Sequence, residues 1–196
     1  MIKTQNKRMS TETLVLASLM TALVVVFQCL ATYTTFFGPF STAIGLIPIV
    51  IGAAMCGPAV GAWLGFVFAL VVILTGGASL FFMFSIPGTI ITVFAKGIAC
   101  GAVSGLVYKL LNSFNKTLAA ILAALVCPIV NTGVFLLGSA IFFMPFADKI
   151  ADLLKMEQVG FALFIALAFG NFIFEIGMNA VLSPVIVRIL DMRKRK

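Results

Sequence analysis

Six long apolar stretches fill this chain, and only two charged side chains, Lys96 and Glu175, fall deep inside them. The stretches run over 13–31, 43–56, 59–75, 89–111, 117–143 and 160–190. A helix of about 20 apolar residues crosses the roughly 30 Å hydrocarbon layer of a bilayer, so 196 residues leave room for six spans, short connections and no soluble domain. The expected fold is therefore all-α: one integral membrane domain, a six-helix bundle. Composition agrees, with 62% hydrophobic and 10% charged residues and a mean hydropathy of +1.22.

The net charge of +7 does not point to nucleic acid. Lys3, Lys7 and Arg8 lie at one end of the chain, and Arg188, Arg193, Lys194, Arg195 and Lys196 at the other. With the basic connection between Lys109 and Lys116, they place both termini in the cytoplasm by the positive-inside rule. The expected location is the cell membrane, crossed several times. A retained first helix is expected over 13–31, because no small-x-small cleavage site follows it in good position.

Cys29, Cys56, Cys100 and Cys127 stand singly among apolar residues and read as small core side chains. The chain has no histidine, which removes the commonest general base and the commonest metal ligand together. Neither a cofactor nor a metal is expected. Enzyme chemistry is not expected either, since no nucleophile sits beside a base and no paired aspartates occur within the spans.

An intramembrane Lys and Glu are expensive unless they face the protein interior, water or a partner. Other polar residues lie at similar depth. Asn171, Glu175 and Asn179 are spaced four apart and share one helix face; Asn131 follows Pro128; Thr92 and Lys96 share a face toward the outer end of the fourth span. Spans four to six are thus expected to wall one polar cavity. The simpler alternative is a buried Lys96–Glu175 salt bridge locking two helices, which leaves the Asn side chains unexplained.

Two uncharged, aromatic connections are expected on the outer face: 32–42, with Tyr33, Phe37 and Phe40, and 76–88, with Phe81, Phe82 and Phe84. They read as a lid. Gly57, Gly61 and Gly65 recur every four residues, as do Gly97, Gly101 and Gly105. Such ridges let helix backbones approach closely, and packing inside the bundle is their expected role. Ser18 and Ala22 form a shorter row on the first span, expected to face outward.

The basic N-terminus, the row on the first helix, the FGPF segment at 37–40 and the run LIPIVIGAAMCGPAVGAWLG from Leu46 to Gly65 together resemble the substrate-binding S components of energy-coupling factor (ECF) vitamin transporters. The resemblance covers nearly the whole chain. It implies a six-helix subunit that captures a water-soluble vitamin at the outer face, while a transmembrane coupling subunit and two ATPases supply the power. The chain itself lacks the G-x-x-x-x-G-K-[ST] loop that would cradle ATP phosphates. It also implies that the first-helix row docks on the coupling subunit, at Ser18 and Ala22 here, with Ser in place of the family's first Ala.

Lys96 suits a carboxylate, the three Asn suit hydroxyls and amides, and the Phe residues suit an apolar part or a ring. Pantothenate fits and is the first choice; Glu175 would alternatively recognise an amine or pyridinium. The competing function is a self-sufficient ion- or proton-coupled carrier relaying through Lys96 and Glu175. Carriers of that kind often show internal repeats, and the two halves show no convincing similarity.

Overall fold

The computed structural model describes residues 10–33, 45–144 and, between 169 and 188, residues 169, 170, 172, 173, 175–181, 184, 187 and 188. Phe37, Phe40, Asn171, most of the acidic 144–159 connection and nearly all of the terminal basic residues lie outside the described residues. Among the described residues the order is α1 (Thr11–Tyr33), α2 (Leu46–Cys56), α3 (Pro58–Leu74), α4 (Ser79–Phe82), α5 (Ile86–Leu111) and α6 (Lys116–Phe142). The described residues from 169 to 188 are also helical. Among the described residues three helices, α1, α5 and α6, are long and apolar enough to cross a membrane.

Local chemistry sets the helix ends. Asn115 caps α6 by accepting from the Leu118 N–H at 3.1 Å, and Ser85 caps α5 by accepting from Gly88 N at 3.2 Å. Pro87 falls in the first turn of α5, where its missing N–H costs nothing. The helix therefore starts three residues before the expected position 89. The segment read as an open connection over 76–88 is instead a turn, the single-turn α4 and this cap.

Gly57 alone joins α2 to α3, at φ +96°, a left-handed backbone that glycine tolerates best. Pro58 then starts α3 at its first position. α2 is short: 11 residues rise about 16 Å, roughly half the hydrocarbon thickness, so α2 alone cannot span it.

Side-chain bonds fix how the helices run. Cys56 Sγ donates to Thr13 O at 4.0 Å, Trp63 Nε1 to Thr21 Oγ1 at 3.3 Å, and the Thr32 and Thr75 hydroxyls meet at 3.1 Å. α1 and α3 are therefore parallel. The glycine rows pack against each other, as expected. A Cβ added at Gly61 would strike the Gly101 carbonyl, and one at Gly65 the Gly97 carbonyl; one at Gly105 would come within 2.8 Å of Pro58 Cα. α3 and α5 thus run antiparallel with backbone on backbone. In lipid, where apolar surface gains nothing by leaving the tails, such close approach is what holds helices together.

α5 and α6 are antiparallel as well. Ser104 Oγ donates across the interface to Ala123 O at 3.0 Å, and Gly138 leaves room for Thr92, whose hydroxyl a Cβ there would strike. Cys100 and Cys127 are buried, Cys29 and Cys56 half-buried, and all four are free thiols. One end of the bundle gathers Tyr33, Thr75, α4, Ile86 and Phe142; the opposite end gathers Thr11, Gly57, Lys109 and Lys116.

Candidate functional site

Lys96 lies ten residues into α5, about 15 Å along its axis at 1.5 Å per residue, from the end that carries α4. Its ammonium sits between two rings, 5.1 Å from the Phe135 centroid on α6 and 6.0 Å from the Phe68 centroid on α3. A desolvated cation over a ring face is held electrostatically by the ring quadrupole, worth about 2 kcal/mol away from water. Glu175, 3% exposed on the last helical segment, exerts a Coulombic pull on the same ammonium. The two charges that stand apart in sequence share one neighbourhood.

Around them lie the expected polar side chains. Thr92 is one turn before Lys96 on α5 and is buried; Asn131 is buried on α6, one turn before Phe135; Asn179 is buried one turn after Glu175. Asn179 Nδ2 donates to the Glu175 carbonyl at 2.9 Å. The Oγ1 of Thr92 and the Oδ1 atoms of Asn131 and Asn179 have no hydrogen-bond partner among the described residues. Buried polar atoms are normally satisfied, so each such atom calls for an explanation.

Sequence reasoning missed four members of this cluster. Phe68 and Phe135, the two rings that flank Lys96, looked like ordinary apolar residues. Ser139, one turn beyond Phe135, is fully buried with its Oγ unpartnered. Gln28 on α1 is fully buried, and neither of its amide atoms has a partner among the described residues. A lone amide in an apolar span was the available signal.

The aromatic segment over 76–88 meets the cluster through Phe81. Phe81 of α4 is buried, edge-on to Phe135 at 5.4 Å and tilted against Phe143 at 5.1 Å. Phe82 and Phe84 are half-buried, Phe82 against the apolar core. Tyr33 is the last residue of α1.

Ser18 and Ala22 are exposed on α1, and the Ser18 hydroxyl donates back to Leu14 O at 2.9 Å. Ser18 lines an apolar groove of about 560 Å³ between α1 and the start of α3, with Leu14, Ala17, Thr21, Val60 and Trp63. The groove lies toward the Gly57 end, away from Lys96.

Fold and cluster define a class: a small multi-pass helical membrane protein whose polar groups are enclosed within the bundle. The family model for the substrate-specific component of ECF transporters matches residues 12–187, and the chain belongs to that family. It is thus a transport protein that recognises a small molecule in association with other ECF components. No curated protein and no solved structure matches the chain.

Proposed function

We propose that this chain captures a water-soluble vitamin or related micronutrient at the outer face of a prokaryotic plasma membrane, as the S component of an ECF-type ABC importer. It would cross the membrane six times, with both termini cytoplasmic, and deliver its ligand through a coupling subunit driven by two ATPases. What supports the reading is that Lys96 and Glu175 share a neighbourhood while Thr92 Oγ1, Asn131 Oδ1 and Asn179 Oδ1 are buried without a hydrogen-bond partner among the described residues. A structural ion pair leaves those atoms at a cost of several kcal/mol. A polar ligand satisfies them. Asn171, in register with Glu175 and Asn179 along the sequence, belongs to the same proposal.

Pantothenate is the first compound to test, within a panel of labelled vitamins added to the detergent-purified chain. Lys96→Ala and Glu175→Gln are each expected to weaken binding of the captured vitamin at least about tenfold, or about 1.4 kcal/mol, in protein that still elutes as a folded species. Unchanged calorimetric affinity in both variants would overturn the assignment. A purely structural bridge predicts the reverse, lost thermal stability with affinity retained in the folded fraction.

The two outer connections, with Tyr33, Phe37, Phe40, Phe82 and Phe84, serve in this reading as the lid, and Phe81 couples 76–88 to the pocket through Phe135. Amide exchange over 76–88 is expected to slow when saturating vitamin is added. Equal exchange in both states would remove this segment from the lid.

A further inference from the structure

Gln28 has no task in the polar cluster described so far. Its backbone carbonyl accepts from Thr32 Oγ1 at 3.0 Å, yet the side chain is wholly buried with both Oε1 and Nε2 unpartnered among the described residues. An amide in that condition has lost its water and gained nothing.

Its position is defined by Gly45. A Cβ added there would lie 3.2 Å from Gln28 Oε1 and 3.2 Å from Phe68 Cδ2, so the amide and the ring converge on one point. Phe68 is the ring that Lys96 approaches from α5. Gly45 is also the N-cap of α2 and supplies no side-chain cap, and the half-height α2 begins beside the amide. Gln28 therefore borders the Lys96 neighbourhood from α1, at the point where α2 starts.

We propose that Gln28 reads a planar donor–acceptor edge on the ligand: a lactam, ureide, imide or aminopyrimidine ring. This rests on the reading of the polar cluster as a ligand pocket. Oε1 only accepts and Nε2 only donates, and the two lie side by side on one planar group. A partner that satisfies both must present a donor and an acceptor on neighbouring positions. A carboxylate offers two acceptors and leaves Oε1 unmet. An open-chain secondary amide such as that of pantothenate is trans, with its N–H and C=O on opposite sides, so it meets one atom at a time. The ring edge meets both, and Gln28 thereby favours ring ligands over pantothenate.

The test uses the full chain in detergent with biotin, riboflavin, folic acid and thiamine as edge-bearing probes, and with pantothenate and nicotinate as probes without that edge. Gln28→Met keeps the length and shape while removing both polar atoms. At least one edge-bearing probe is expected to bind saturably, and Gln28→Met is expected to weaken it by at least about 30-fold. The ligand-free Gln28→Met protein is expected to melt at a higher temperature than the parent, because an unmet buried amide has been replaced by an apolar group.

A lower melting temperature for ligand-free Gln28→Met would show the amide bonded within the protein and overturn the inference. So would saturable binding by none of the probes, or unchanged affinity of an edge-bearing probe in Gln28→Met. If pantothenate binds, loses affinity in Lys96→Ala and keeps it in Gln28→Met, the pocket stands and the role of Gln28 falls. If Gln28→Met weakens a ring ligand while Lys96→Ala and Glu175→Gln do not, the edge reader stands and the charged pair leaves the site.

Discussion

Gly65→Val is expected to abolish recovery of folded protein from the membrane, with the detergent extract running as aggregate instead of a single symmetric peak by size-exclusion chromatography. A Cβ at this position would overlap the Gly97 carbonyl, with the Gly97 carbonyl carbon 2.6 Å and Ile98 N 3.2 Å away. All three atoms are backbone, so no rotamer change relieves the overlap and the helices must separate. Overpacking that flexible side chains absorb costs about 1–3 kcal/mol. Here the seam is continuous through Gly61, Gly101 and Gly105, so separation at one level opens the next, against a total stability on the order of 10 kcal/mol. Gly133→Ala is the matched control, because a Cβ there meets nothing within 4 Å; it should extract and elute like the parent. A monodisperse, ligand-binding Gly65→Val protein would show that the two helices are not held by this seam.

Ala22→Leu should abolish vitamin uptake by cells while leaving binding by the purified chain within about threefold, or roughly 0.7 kcal/mol. Ala22 and Ser18 are exposed on α1, and the row ends beside the apolar groove that Trp63 and Val60 of α3 help to form. A bulky side chain on this row disturbs little inside the bundle but blocks the close backbone approach of a partner helix. Uptake of radiolabelled vitamin by cells expressing the complete transporter, set beside calorimetry on the isolated subunit, separates the two effects. Equal loss of binding and transport would place the row inside the bundle and move the coupling surface elsewhere.

Much of the scaffold was legible because lipid allows few alternatives. The stretches at 59–75, 89–111 and 117–143 lie within three residues of α3, α5 and α6, and the Gly57–Pro58 break falls at the observed turn. The sequence reading starts α5 at 89, whereas the helix begins at Ile86, because a proline in the first turn leaves it intact. The charged and Asn candidates stand out in the sequence because each is costly at depth. Phe68 and Phe135 do not, since a ring that faces a cation has the same sequence signature as one that faces lipid. Gln28 stood in plain view, but the first span carries no charge to draw the eye, and its significance depends on Gly45 and Phe68, which are distant in sequence.

The glycine seam has a mechanical consequence. Packed helices usually slide past one another by small adjustments of the side chains between them. Between α3 and α5 backbone meets backbone at three successive levels, with side chains such as Phe66 against Phe94 packed only beside the seam. The two helices therefore form a single stiff plate. Phe68 rides on one half of it and Lys96 on the other, so the backbone positions that carry the ring and the ammonium are held at one spacing. Motion belongs to what is not fastened to the plate. The seam thus gives the molecule one rigid wall that bears both Phe68 and Lys96.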